Sequence, residues 1–268
     1  MGRLSKAIAY PLAGACGYAA MYFAATRAIY HPLRYPEGLW HAQAEVPAQD
    51  VWLRTRDGVR LHAWWVDPPG ARAATLFLHG NGGNLTHRIP HMREVAAAGS
   101  AVLVIDYRGY GRSEGFPTER GLYSDADAGY DHLQALGRPI VIHGESLGAA
   151  VAIDLAARRP CAALVLEAPF TSARAVAGRI MPVLGPALVS GYDSTRKIQR
   201  IRAPLLVIHG DRDSVVPIEL GRALFESAPE SKTFWTVPGA DHNNLLETAG
   251  RSFGERLREI YESIGRTQ

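Results

Sequence analysis

The chain has 268 residues, 47% of them apolar, enough to bury one sizeable core. Its formal net charge of +3 comes from 29 basic and 26 acidic residues scattered along the chain, and without a basic stripe nucleic acid is not expected as a partner. Its 2 cysteines and 10 histidines, with no H-E-x-x-H or comparable spacing, exclude a disulfide framework and a cysteine-based metal site, so neither metal nor cofactor is expected.

At the N-terminus, residues 7–26 carry no charge, with Arg3 and Lys6 before them and Arg27 and Arg34 after. As a helix such a stretch is ~30 Å long, the thickness of a bilayer's hydrocarbon core, and Tyr10, Tyr18, Tyr22 and Tyr30 suit its interfaces. Residues 1–32 are therefore expected to anchor the chain in a membrane, with the amino terminus in the cytoplasm and the remainder outside. Two other readings compete. A cleaved signal peptide is suggested by Leu12-Ala13-Gly14-Ala15-Cys16, which resembles a lipoprotein cleavage site; a helix packed on the domain is suggested by the Ala and Gly content and by Pro11. Cys16 and Cys161 are otherwise expected to pack as small apolar groups.

The proline-containing residues 33–50 form a linker or arm, and a single domain is expected over residues 51–268. Residues 51–56 and 59–66 flank Asp57-Gly58, a hairpin pair, and should make an antiparallel sheet edge. Parallel strands are predicted near 74–79, 101–106, 139–143, 163–167, 204–209 and 233–237, with helices near 85–98, 119–136, 147–158, 217–227 and 245–263. This alternation predicts a mostly parallel, doubly wound sheet with helices on both faces. His62, His87, His91 and His132 read as surface or half-buried residues, whereas His79, His143 and His209 end core strands and should bond strand termini.

The chemistry-bearing motifs fall where strands end. Gly144-Glu145-Ser146-Leu147-Gly148 has an apolar strand before it and an alanine-rich helix after it, the setting a nucleophile elbow requires. His209-Gly210-Asp211-Arg212-Asp213 continues a buried strand, and Pro238-Gly239-Ala240-Asp241-His242 follows another. The order serine, acid, histidine is the one used when these three groups cooperate on this kind of sheet. His79-Gly80-Asn81-Gly82-Gly83-Asn84 follows the 74–79 strand; it lacks G-x-G-x-x-G and a P-loop lysine, which argues against a phosphate loop. Asn84 suits a helix cap. Asp106 to Gly115 should be an ordered loop with internal ion pairs and no chemistry of its own.

On these motifs, together with Ala168-Pro169-Phe170-Thr171-Ser172, Tyr192-Asp193-Ser194 and Gly239-Ala240-Asp241-His242-Asn243, the chain resembles the α/β-hydrolase superfamily, specifically its membrane-anchored abhydrolase-domain proteins. The resemblance implies an α/β-hydrolase fold with a short cap and a serine hydrolase acting on carboxylic esters or thioesters. It implies Ser146 as nucleophile, His242 as base and Asp213, the aspartate before Val215-Val216-Pro217, as the acid. Asp211 and Glu167 stay open as competing acids. The backbone N–H groups of Leu147 and Asn81 are the expected oxyanion donors.

The segment between residues 167 and 204 should govern selectivity, either as a cap over an acyl groove or as a packed helix pair. A small-molecule or lipid-like acyl ester is the expected substrate. An aminopeptidase-like hydrolase and an idle hydrolase fold serving as a binding protein are the alternatives. A haloalkane dehalogenase would carry Asp where Ser146 stands.

Overall fold

A computed structural model describes Gly17, Met21, Ala24 and residues 28–264. Central apolar runs of five or six residues, buried along nearly all their length, pair side by side because neither of their faces can be left in water, and partly exposed strands close the two edges. They form an 8-stranded sheet ordered β10-β9-β8-β7-β4-β6-β3-β2. Its strands are β2 (Gln49–Arg54), β3 (Arg60–Val66), β4 (Ala73–Leu78), β6 (Ser100–Ile105), β7 (Ile140–Glu145), β8 (Ala163–Glu167), β9 (Leu205–Gly210) and β10 (Lys232–Val237). From β6 to β10 neighbours are parallel, while β3 runs antiparallel to both β6 and β2. The expected antiparallel edge is present, but its turn is longer than the hairpin pair suggested. Arg54 pairs Arg60, and Thr55 closes the loop by accepting from Val59 N at 2.9 Å.

Alternation along the strands divides the core in two. Leu76, Leu78, Ile142, Leu164 and Val207 share one layer with Tyr130, Val151 and Leu224. Phe77, Val141, Val165 and Leu206 face the other way, against Met92, Val95, Phe253 and Leu257. The first layer is covered by helices α2 (Glu119–Gln134), α3 (Leu147–Ala156) and α7 (Ile218–Ser227), the second by α1 (Ile89–Ala97) and α9 (Arg251–Ile264). Leu147 through Leu155 are all buried, and apart from Asp154, which pairs with Arg158 and Lys197, α3 presents only apolar residues there, as a helix inside a protein does. The chain leaves β4 towards β6 and returns to β7 on the other side, so β4 and β7 flank the point where strand order reverses and a crevice opens above the carboxyl ends.

The N-terminal arm is folded onto this body. The two-residue strands β1 (His31–Pro32) and β5 (Gly82–Gly83) pair in parallel, and Asn84 Nδ2 donates to the carbonyls of Leu33 and Glu37 at 3.2 and 2.9 Å. The uncharged stretch 7–26 lies outside the described residues apart from Gly17, Met21 and Ala24, as does Cys16. Among the described residues no helix is long and apolar enough to cross a membrane. Cys161 is half-buried against the core, and burial pushes its thiol up to about 12.

Candidate active site

The turn after β7 holds Ser146 at φ 52° and ψ −111°, a conformation most side chains avoid. Its flanking glycines are explained by contact distances. A Cβ on Gly144 would lie 2.4 Å from the Gly148 carbonyl oxygen, and one on Gly148 would lie 1.9 Å from that of Leu78. The turn is tied to the next strand by Ser146 N–H donating to the Glu167 carbonyl at 2.8 Å.

Ser146, His242 and Asp213 come together from three strand ends. Ser146 Oγ lies 3.0 Å from His242 Nε2, and His242 Nδ1 lies 2.7 Å from Asp213 Oδ2. An ionised carboxylate can only accept, so Nδ1 carries the proton and Nε2 is free to accept the serine hydroxyl. Asp213 is itself fixed: its Oδ1 accepts from Val215 N and Val216 N at 3.0 and 2.7 Å. Burial alone would raise its carboxyl, but hydrogen bonds from His209 and His242 and the Val216 N–H hold it well below the usual carboxylate range. It stays charged where the imidazole needs a counter-charge.

The competing acids are committed elsewhere. Asp211 Oδ1 accepts from Gly239 N at 2.6 Å and so pins the turn after β10. Glu167 bonds His143 Nε2 at 2.7 Å and His91 Nε2 at 3.3 Å. Asp241, next to His242, accepts from Ser214 N and Oγ at 2.7 and 2.9 Å, clasping the acid loop to the histidine loop.

Asn81 and Ser146 both line a cavity of about 510 Å³. The Leu147 N–H opens α3, where a helix's first donors lack intrahelical partners. Among the described residues, neither this N–H nor that of Asn81 meets a protein acceptor. Leu33, Pro90, Leu245 and Leu246 contribute apolar lining to the cavity, and His87, Arg88, His91, Glu145 and Glu167 contribute polar lining. Arg88 Nε stands 2.6 Å from Glu145 Oε2. Burial would raise both carboxyls; the charges of Arg88 and His91 keep Glu145 lowered, and His91 and His143 do the same for Glu167.

This polar wall is what the sequence reading missed. Glu145 was visible as the variable position of the elbow, but nothing in linear spacing brings to it Arg88 from the turn before α1, His91 from α1 and Glu167 from β8. Three expectations are corrected. His62 is fully buried, because Asp50 Oδ1 accepts from its Nε2 at 2.8 Å and from Trp64 Nε1 at 2.9 Å. The ion pairs of the 106–115 loop are not internal to it but join it to other segments: Arg108 reaches Asp57 at 2.7 Å and the buried Asp125 at 2.8 Å.

Finally, apart from Ala168, the segment between β8 and β9 does not line the cavity. Its three short helices, α4 (Ala173–Ile180), α5 (Gly185–Leu188) and α6 (Ser194–Ile198), are held down by buried Ala173, Val189, Tyr192 and Ile198. Asn84 does cap, accepting from Thr86 N at 3.1 Å. Among the described residues no group of His, Cys, Asp and Glu is arranged to hold a metal.

A doubly wound sheet carrying a nucleophile-elbow turn defines a serine hydrolase of the α/β-hydrolase superfamily, and three comparisons agree. Residues 69–193 and 188–249 match the family described as serine aminopeptidase, S33, and the chain belongs to that family. It is 39% identical over 243 residues to an uncharacterized protein of Mycobacterium tuberculosis, covering 87% of this chain and 86% of that one. It is 35% identical over 251 residues to the lysophosphatidylserine lipase ABHD12 of Macaca fascicularis, covering 84% of this chain but 60% of the relative. The Pyrococcus furiosus esterase Pf2001 shares the fold, with a TM-score of 0.76 at 22% identity over 88% of this chain and 98% of that one.

Proposed function

We propose that the protein hydrolyses carboxylic esters or thioesters of a hydrophobic acyl group through Ser146, His242 and Asp213. The observation that carries this reading is the unbroken line of contacts from Asp213 through His242 to Ser146, with Ser146 open to the cavity. Ser146 Oγ attacks the acyl carbonyl as His242 Nε2 takes its proton, and the oxygen that gains charge is received by the N–H groups of Leu147 and Asn81. His242 then gives that proton to the departing alkoxide or thiolate, leaving an acyl-serine. Water, deprotonated by the same nitrogen, attacks the acyl-serine and releases the carboxylic acid, and the proton returns to Ser146. Asp213 holds the imidazole and balances its charge throughout.

An amphipathic ester with one acyl chain and a polar head suits a cavity lined by both apolar and polar residues, and a lysophosphatidylserine lipase among the relatives supports that class. The family's description raises aminopeptidase activity as a second reading. It would need a carboxylate free to receive a substrate ammonium; Glu145 already faces Arg88 and Glu167 already holds two histidines, which leaves the exposed Glu247 as the lining carboxylate for that role. A mere binding protein has no use for the alignment of hydroxyl, imidazole and carboxylate. Residues 7–26 are proposed to anchor the enzyme in a membrane, on the strength of their length and lack of charge.

A panel of p-nitrophenyl esters and acyl thioesters of rising chain length, run beside aminoacyl p-nitroanilides, tests the reading. Turnover of the acyl substrates with little or none of the anilides is expected. Preferential cleavage of the anilides would transfer the site to peptide chemistry.

A further inference from the structure

We infer that the arm at residues 29–33 is a positioning element of the reaction, a clamp that sets the oxyanion loop at Gly80–Gly83. The inference rests on the reading of the Asn81 N–H as an oxyanion donor.

A backbone N–H contributes to such a site only if it is already aimed where charge develops, because reorientation during the reaction would cancel much of the gain. Loops rich in glycine do not hold an aim by themselves, and this one contains Gly80, Gly82 and Gly83 around Asn81. The Gly80 carbonyl lies 2.7 Å from His79 Nδ1. Since a trans peptide is planar, fixing that carbonyl fixes the Asn81 N–H pointing the opposite way.

The next peptide is held by the arm. The Asn81 carbonyl accepts from His31 N at 3.1 Å and from Tyr110 OH at 2.8 Å, which uses both of its lone pairs. The Asn81 side chain does not serve the cavity; its Nδ2 donates to the Ile29 carbonyl at 2.9 Å. Leu33 N donates to the Gly83 carbonyl at 3.0 Å, completing a short parallel ladder.

The arm is fixed in turn at its far side. Tyr30, 8% exposed, shares a hydroxyl hydrogen bond of 2.8 Å with the buried Tyr192 of the segment between β8 and β9. That segment therefore bears on the site through Tyr30 and the oxyanion loop instead of by lining the cavity. Arm, loop and segment form one connected set of bonds, and residues 29–33 are its middle.

A clamp of this kind acts on the transition state and leaves ground-state binding nearly alone, which separates it from a merely structural contact. The test uses the full chain with Asn81→Ala, which keeps the backbone N–H but removes the donor to Ile29, and His31→Pro, which removes the donor to the Asn81 carbonyl. Steady-state hydrolysis of a p-nitrophenyl ester is measured with the inhibition constants of an alkyl trifluoromethyl ketone, which forms a tetrahedral oxyanion, and of the matching fatty acid.

Each variant is expected to lose kcat by about tenfold or more, a fraction of the ~10²–10³ that removal of a whole oxyanion donor costs. KM and fatty-acid inhibition should stay within about twofold, and ketone affinity should fall in step with kcat/KM. Unchanged kcat in both variants, or a rise in KM with kcat kept, overturns the clamp. If His31→Pro does not fold, as thermal melting will show, Asn81→Ala decides alone because it alters no backbone donor. Failure of the underlying reading is distinguishable: turnover and ketone inhibition that survive Ser146→Ala would remove the triad itself.

Discussion

At the scale of single residues, the site is decided by which carboxylate is free to serve the histidine. Asp211 and Asp213 are two positions apart and chemically identical, yet one pins a turn and the other meets His242 Nδ1. Asp213→Asn should therefore lower kcat by roughly 10⁴-fold, the size of the loss when the equivalent change in a serine protease strands the wrong tautomer. Asp211→Asn should cost less than tenfold in kcat and appear mainly as lower stability, because a neutral amide still offers an oxygen to Gly239 N. Steady-state kinetics on both variants with denaturant titration checks the ranking, and the reverse order would move the acid to Asp211. The sequence left these two open because spacing alone does not show which loop residue turns inward.

His79 supplies a pH dependence whose sign can be worked out. It is fully buried against Tyr107 and Tyr110, and burial, then the charge of Arg88, lowers it to about 4. The unfolded chain binds its proton near pH 6.5 and the folded one only near 4, so its contribution is complete above pH 6.5 and is lost as pH falls to 4. The full difference is on the order of 3 kcal/mol. Urea titrations of wild type and His79→Gln between pH 7 and pH 4 should converge by about that amount. A gap that is constant across the range would show that His79 does not titrate this way.

At the scale of elements, the strand-helix alternation was legible because buried parallel strands read as short apolar runs and the helices between them keep their own period. The boundaries of β7, β8 and β9 were legible within a residue or two for the same reason. What was not legible depends on contacts distant in sequence. The β1–β5 ladder is too short to leave a pattern, and the helices of residues 173–198 follow no single apolar period. Gly148 tests the packing of the elbow element against β4, since a Cβ there meets the Leu78 carbonyl at 1.9 Å and that oxygen belongs to a central strand that cannot yield. Gly148→Ala should destabilise by about 3 kcal/mol or more and reduce activity in the fraction that folds. An alanine variant as stable as wild type would mean that α3 and β4 are farther apart than described.

At the scale of the whole molecule, the arm joins the oxyanion loop to the 173–198 segment, and in the chain it closely follows the uncharged residues 7–26. If residues 7–26 span a bilayer, full-length protein should sediment with membranes, resist high-salt extraction and be released by detergent. Release by salt alone would instead indicate a surface helix. The point of truncation matters as well, because a chain starting at Leu33 loses Ile29, Tyr30 and His31 and with them the bonds to Asn81 and Tyr192. Such a chain should be less active than one starting just before Ala28.

The assignment of Ser146 Oγ as the atom that carries the acyl group is tested most directly by covalent labelling with a fluorophosphonate followed by peptide mass spectrometry. A single adduct is expected on the peptide containing Ser146, with no adduct in Ser146→Ala at unchanged melting temperature and loss of ester hydrolysis in that variant. Labelling at another residue, or wild-type hydrolysis by Ser146→Ala, would contradict it.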